Sequence, residues 1–362
     1  MKAAVLWKVR EPMVVEDVEL EDPKEGEVLV RLAASGVCHS CLHAADGTWD
    51  WSIVPSVLGD EGAGVVQKVG PSVSHVKSGD HVILSWSPTC FRCRYCVTGR
   101  PQLCERRPQS GHLYDGSSRM RVRGTEILHF GPATYATEMV LPENSVVKIR
   151  EDIPLDKAAL IGCAVTTGVG SVIHTAKVPT GASLAVFGAG GIGLNAVQGG
   201  RLCGAYPLIA VDVADHKLEF ARAMGATHVV DSSREDPVEA IKRLTAGRGA
   251  EYTVVAVGSI RAMQQAWDAL AAGGTCVVVG APQSGLKIQI DPLHLYRHEK
   301  KLTGSRYGSA RVFDDFARLI DLYLAGKLKL DELITRRYSL DEVNEAHRAL
   351  GAGENMRGLL VF

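Results

Sequence analysis

Short apolar runs broken by glycine and proline open the chain. Residues 28–32 (Val-Leu-Val-Arg-Leu), 64–69 and 81–84 are rich in β-branched residues. They lie between turn signals such as Gly70-Pro71 and Ser78-Gly79-Asp80, which predicts an irregular β domain over the first part of the chain. The texture changes after Pro154. Apolar runs at 184–187, 208–211, 228–230, 253–257 and 276–279 alternate with helical patterns at 215–224, 237–245 and 261–270. Strands alternating with helices of this length predict a doubly wound α/β parallel sheet. A helix over 312–325 and the closing run Leu359-Leu360-Val361-Phe362 are expected to rejoin the first domain.

Composition bounds the reading further. A length of 362 residues fits about two domains. A net charge of −1 argues against nucleic acid or a membrane surface as partner, leaving a small-molecule substrate. No uninterrupted apolar stretch reaches the roughly 18 residues that a membrane span needs. The apolar run near Met1 is too short for an export signal, so a cytoplasmic enzyme is expected. In such a chain, nine cysteines suggest metal binding before disulfides.

Four of those cysteines, Cys90, Cys93, Cys96 and Cys104, follow the spacing C-x2-C-x2-C-x7-C. Two-residue gaps let one loop turn several thiolates toward a single point, the requirement of a tetrahedral zinc site. Four protein ligands leave no open position, so this zinc is expected to hold a loop and perform no chemistry. The alternative, disulfides, fits poorly with cysteines this close in sequence.

Gly188-Ala189-Gly190-Gly191-Ile192-Gly193 reads G-x-G-x-x-G. The motif alone is weak, but here it follows a predicted strand and opens a predicted helix. The first glycine makes a tight turn, the second admits a pyrophosphate, and the third lets helix pack on strand. Asp212 ends the next strand, where a carboxylate grips the adenosine ribose and repels a 2′-phosphate. NAD is therefore expected over NADP. A structural glycine turn with a surface aspartate is the plainer alternative.

The cysteine ladder, the glycine fingerprint, Gly36-Val37-Cys38-His39-Ser40 and Gly59-Asp60-Glu61-Gly62-Ala63-Gly64 together resemble the zinc-dependent medium-chain alcohol dehydrogenases, nearly end to end. The resemblance implies a GroES-like catalytic domain over 1–163 and 306–362 with two zinc sites. It implies a Rossmann NAD-binding domain over 164–305, and dimers or tetramers. It also implies a catalytic zinc held by a cysteine, a histidine and a second cysteine, with a fourth position open. Cys38 and Cys163 match the thiolates. The histidine position holds Asp60, and the aspartate that orients that histidine in the family is replaced by Cys41. The paired change implies that Asp60 is itself a ligand, with Glu61 able to substitute; Cys41 is a further option. Aspartate is an acceptable zinc ligand.

The remaining roles also come from the resemblance. Ser40 matches the hydroxyl that bonds the substrate oxygen, and His43 the histidine that ends a proton relay. His39 and Arg357 match pyrophosphate contacts, Lys217 an adenosine-ribose contact, and Thr167 a residue beside the nicotinamide. Trp86 and Trp49 match substrate-pocket walls, and Trp51 stands beside them in sequence. Plain core packing is the alternative for all three rings. Aromatic walls fit a primary alcohol, either slim and aliphatic or flat and benzylic or allylic. Two other readings compete: a reductase of conjugated C=C or C=N bonds using NAD(P)H, and a non-catalytic cofactor-binding protein. The retained Ser40 and His43 argue against the first, and the Cys38, Cys163 pair against the second.

Overall fold

The computed structural model describes residues 1–50 and 53–362; Trp51 lies outside the described residues. Two compact units divide the chain: Met1–Cys163 with Arg311–Phe362, and Ala164–Ala310. The return to the first unit falls five residues later than expected from sequence.

In the first unit, the strand Glu27–Gly36 buries alternate apolar residues, among them Val28, Val30 and Leu32. It pairs antiparallel with Gly62–Val69, Glu138–Pro142 and Arg357–Val361. The strands His81–Leu84 and Val146–Lys148 extend the sheet on one side, and Ile334–Tyr338 extends it on the other. Pairing Ser35 with Gly62 brings the end of one strand beside the start of the next. Cys38 therefore leaves the sheet where Asp60 enters it.

The segment 107–130 carries two paired strands, Met120–Val122 and Thr125–His129. It also carries Arg119, wholly buried and bonded to Glu27 and Asp115.

The second unit is a six-stranded parallel sheet. Its order is His228–Asp231, Leu208–Asp212, Leu184–Phe187, Ala250–Val255, Leu270–Val278, Lys301–Gly304. In chain order this is 3-2-1-4-5-6, the order of dinucleotide-binding sheets. The sixth strand had no sequence signal, because its four residues are all exposed and form no apolar run.

Among the described residues one helix, Leu155–Ala176, is long and apolar enough by length and composition to cross a membrane. It is 83% buried within the protein over its most apolar window, as a core helix is. Two of its stretches, Ile161–Val165 and Ser171–Ala176, are π-helical.

Candidate active site

Three buried side chains from three elements converge in the first unit. Cys38 precedes the helix His39–Asp46 with extended backbone, φ −106° and ψ 145°. Asp60 stands just before Gly62–Val69. Cys163 lies on the π turn Ile161–Val165, and such turns often re-aim a side chain at a functional site. That helix lies close on the strand ends, since a Cβ at Gly162 would come within 3.1 Å of the Leu84 carbonyl oxygen.

The ligand atoms of Cys38, Asp60 and Cys163 lie within 4.8 Å of one another. Cys163 Sγ is 3.9 Å from Asp60 Oδ2, and Cys41 Sγ is 3.9 Å from Asp60 Oδ1.

The electrostatics show what this arrangement needs. Burial, then the neighbouring charges of Cys38 and Glu61, push the Asp60 carboxyl well above the usual carboxylate range. A hydrogen bond from Cys163 holds the Cys38 thiol well down, and the same bond pushes Cys163 up. Three acids crowded without their own counter-cation resist ionising together. A divalent cation supplies the missing charge, and two thiolates with a carboxylate are a zinc-type donor set. The residues thus fit a metal with three protein ligands.

Glu61 is turned elsewhere. Arg357 Nε donates to its Oε1 at 3.0 Å, and a second guanidinium nitrogen bonds Oε2. Both side chains are buried. Sequence resemblance placed Arg357 at a pyrophosphate and Glu61 as an alternate ligand; in the fold they face each other. Gly36 makes this possible, because a Cβ there would lie 1.9 Å from Glu61 Oε1.

Ser40 Oγ is 3.6 Å from Cys38 Sγ. His43, three residues on, shares its helix face. The His43 ring meets Trp49 edge-on with centroids 5.3 Å apart, and its buried Nδ1 has no hydrogen-bond partner among the described residues. His39 is exposed on the same helix. Trp49 and Trp86 are half-buried against the hydrophobic cluster that includes Cys38, Cys41 and Cys163.

The four-cysteine group is equally explicit. Cys93 Sγ lies 3.4 Å from Cys96 Sγ and 3.9 Å from Cys104 Sγ, and Cys90 Sγ lies 3.8 Å from Cys96 Sγ. All four are free thiols at distances far beyond a disulfide bond. The Cys93 amide donates to Cys90 Sγ at 3.3 Å. Backbone amides, that of Cys96 foremost, hold the Cys93 thiol down at about 6, while burial pushes Cys96 up to about 12. Such a set is completed by a cation.

In the second unit, Gly190 caps the helix Gly191–Cys203 without any side-chain hydrogen bond to its first turn. The helix therefore presents free N–H groups and its positive end. A Cβ on Gly190 would meet nothing within 4 Å, so open space stands at the helix start, where a pyrophosphate fits. Gly193 is the packing glycine, since its Cβ would lie 1.7 Å from the Gly188 carbonyl oxygen. Ile192 is half-buried between them. Asp212 ends the second strand and accepts from the Ala189 amide at 2.7 Å, tying that strand end to the glycine loop. Lys217 is half-buried on the helix Asp215–Met224. Thr167 is buried, with an Oγ1 that has no partner among the described residues.

Two residues that sequence reading passed over belong to the metal centre's surroundings. Tyr135 is wholly buried beside Cys41, and its hydroxyl lies 3.1 Å from His347 Nε2. No motif flags either one.

Comparison with known proteins agrees with this picture. A family profile described as an alcohol dehydrogenase GroES-like domain matches residues 24–151, and one described as a zinc-binding dehydrogenase matches 191–325. The chain is 41% identical to alcohol dehydrogenase class-3 of Cereibacter sphaeroides, covering 100% of this chain and 99% of that protein. It is also 41% identical to an NDMA-dependent alcohol dehydrogenase of Amycolatopsis methanolica, covering 99% and 98%. The solved structure of benzyl alcohol dehydrogenase from Acinetobacter calcoaceticus superposes with a TM-score of 0.94 at 34% identity, covering 100% and 99%.

Proposed function

The chain belongs to the zinc-dependent medium-chain alcohol dehydrogenases, and within that family we propose that Cys38, Asp60 and Cys163 hold its catalytic zinc. The enzyme interconverts an alcohol and its carbonyl product with NAD. The observation that carries the assignment of the site is the convergence of these three buried donors within 4.8 Å. Cys90, Cys93, Cys96 and Cys104 hold a second, structural zinc, giving two per chain.

When bound, zinc supplies Lewis-acid polarisation of the substrate oxygen, and NAD supplies the hydride acceptor. The protein does the rest. Ser40 Oγ accepts the hydrogen bond of the alcohol hydroxyl as its carbon gives up a hydride. His43, one helical turn along, carries the released proton toward solvent, as a histidine can near neutrality. The products are the aldehyde or ketone, NADH and a proton. Thr167 orients the nicotinamide ring. The helix start at Gly190, Gly191, Ile192 and Gly193 binds the pyrophosphate; His39 keeps the cofactor-contact role that its match to the family gives it. Asp212 and Lys217 bind the adenosine ribose. We read Trp49 and Trp86 as walls that favour a flat primary alcohol of the benzylic or allylic kind, the substrate type in the name of the Acinetobacter relative.

Two further parts of the reading rest on surface and thiol chemistry. The edge strand Lys301–Gly304 and the exposed Leu293 and Tyr296 suit a contact between copies in a homodimer or homotetramer. A site needing four reduced thiols suits the cytoplasm.

Elemental analysis with alcohol oxidation on the same samples tests the proposal. Wild type is expected to hold two zinc per chain and to oxidise benzyl alcohol with NAD. Asp60→Ala is expected to hold one and to lose activity. Two zinc retained in Asp60→Ala removes Asp60 from the ligand set. One zinc in wild type without alcohol oxidation favours a reductase or a cofactor-binding role.

A further inference from the structure

The second unit holds neither cysteine group, yet one of its helices carries two metal-type ligands. His294 and His298 stand at i and i+4 on the helix Pro292–His298, the spacing that puts two side chains on one face. Their ring centroids are 4.1 Å apart and their planes are inclined at 43°. Both residues are half-buried, so the pair is partly sheltered yet open to an ion from solvent. Asp291 caps the helix, its side chain accepting from the Leu293 amide at 2.8 Å. The short helix that carries the pair is therefore fixed from its first residue.

The tautomer of one ring follows from its partner. His298 Nδ1 lies 3.0 Å from the His294 carbonyl oxygen. A carbonyl only accepts, so Nδ1 carries the proton and donates. In the neutral ring Nε2 is then left with its lone pair. Among the described residues no protein group bonds that Nε2, nor either ring nitrogen of His294. An imidazole whose Nδ1–H is anchored on a backbone carbonyl, with Nε2 unspent, is the arrangement of a metal-ligating histidine. Metal–imidazole distances of about 2.0–2.1 Å bring two ligand nitrogens to about 3 Å from each other. Rings with centroids 4.1 Å apart reach that by a small tilt. The charges nearby are compatible with a cation. His298 stands on the last turn of the helix, whose carbonyls form its negative end. Lys300 is engaged elsewhere, its Nζ 3.3 Å from the Trp267 carbonyl oxygen and 5.5 Å from the centre of the Trp267 ring.

We propose that His294 and His298 form a third metal site, a two-imidazole chelate for a divalent transition ion such as nickel, copper or zinc, with water completing the shell. Imidazole suits these ions, copper most tightly. The site differs in kind from the two cysteine-bearing ones. Its donors are neutral, it is reached from solvent, and it uses only two side chains. A bound ion ties together the last turn of the helix, just before Glu299 takes a left-handed backbone (φ 48°) and the chain enters the edge strand Lys301–Gly304. It thereby stiffens the entry to that strand. The proposal is independent of the ligand set at Asp60 and of the reaction assigned to the enzyme.

The test titrates nickel(II) into tag-free, zinc-loaded, full-length protein by calorimetry, with released zinc measured in the filtrate. Wild type is expected to take up one nickel per chain without releasing zinc, and its melting temperature to rise as nickel is added. His294→Ala and His298→Ala each leave a single imidazole. Both are expected to bind nickel about 100-fold more weakly, because the second ring no longer acts from within the same helix turn. Combining His294→Ala with Tyr296→His keeps the number of histidines but spaces the rings two residues apart, on different faces. That double variant is expected to stay as weak as His294→Ala. His216→Ala removes an exposed histidine of the helix Asp215–Met224 and is expected to bind nickel as wild type does. Wild-type affinity in either single variant of the pair, or its recovery in the double variant, overturns the proposal; the two rings then merely stack, and nickel is held by scattered histidines. Zinc released mole for mole with nickel uptake overturns it as well, since nickel is then entering a cysteine site. So does a wild-type Kd weaker than about 1 mM, the strength of a ligand held by one contact.

Discussion

At the scale of single residues, the pairing of Glu61 with Arg357 has the clearest energetic consequence. Glu61 is 0% exposed and Arg357 4%, and the two meet in a two-pronged contact. Removing one partner leaves the other charge buried and alone, at a cost of about 3–5 kcal/mol. Arg357→Met is therefore expected to lower the urea midpoint strongly. The joint change Glu61→Leu with Arg357→Met should recover most of that loss, because no unpaired charge remains. If Arg357→Met instead kept wild-type stability and raised KM for NAD, Arg357 would be a cofactor contact, as its sequence position suggested. The sequence could not separate these outcomes, because Glu61 and Arg357 are 296 positions apart and only the fold brings them together. The same holds for Tyr135 and His347, separated by 212. The cysteine ladder was legible because its four ligands are local. Cys38, Asp60 and Cys163 could be grouped only by resemblance.

At the scale of elements, the glycine loop separates binding from folding within six residues. Gly190 faces open space, whereas Gly193 lies against the Gly188 carbonyl. Gly190→Ala has an extended backbone, φ −83° and ψ −169°, that alanine tolerates. It is expected to melt close to wild type yet bind NADH about tenfold more weakly, a loss of about 1.4 kcal/mol, because its methyl occupies the phosphate's approach. Gly193→Ala is expected to lower the melting temperature as well, since helix and strand must part. A calorimetric NADH titration beside a thermal melt reads both, and equal melting temperatures for the two variants would refute the division. This loop was readable because strand, glycines and helix are contiguous. The helix Asp215–Met224 and the strand Leu184–Phe187 were legible in full for the same local reason. The strand Lys301–Gly304 was not, because its pairing with Leu270–Val278 makes it a strand without any apolar pattern of its own.

At the scale of the whole molecule, the first unit is closed by chain from both ends of the sequence, and its burial of ionisable groups governs its response to acid. The closing apolar run announced a return to the first domain; that it would pair with Glu27–Gly36 was not written in it. The same enclosure traps His129, 5% exposed on the strand Thr125–His129, with neither ring nitrogen hydrogen-bonded among the described residues. Burial first, then the Arg119 charge, pushes its pKa from 6.5 down to about 4. With the folded value below the unfolded one, the unfolded chain binds the proton more readily between those limits. The stability linked to His129 is thus intact above pH 6.5 and lost as pH falls toward 4. Between pH 7 and pH 5 the loss is about 2 kcal/mol from this one group. His347, held down to about 4 by its own burial, adds to the same window. His129→Leu removes one titration and two unmet nitrogens while keeping the site apolar. Its urea midpoint at pH 7 is expected to equal or exceed that of wild type, and its decline from pH 7 to pH 5 to be shallower. Tryptophan fluorescence of zinc-loaded protein follows both. Parallel declines would mean that His129 binds its proton in the folded state at ordinary pH, through water reaching a ring that the packing otherwise encloses.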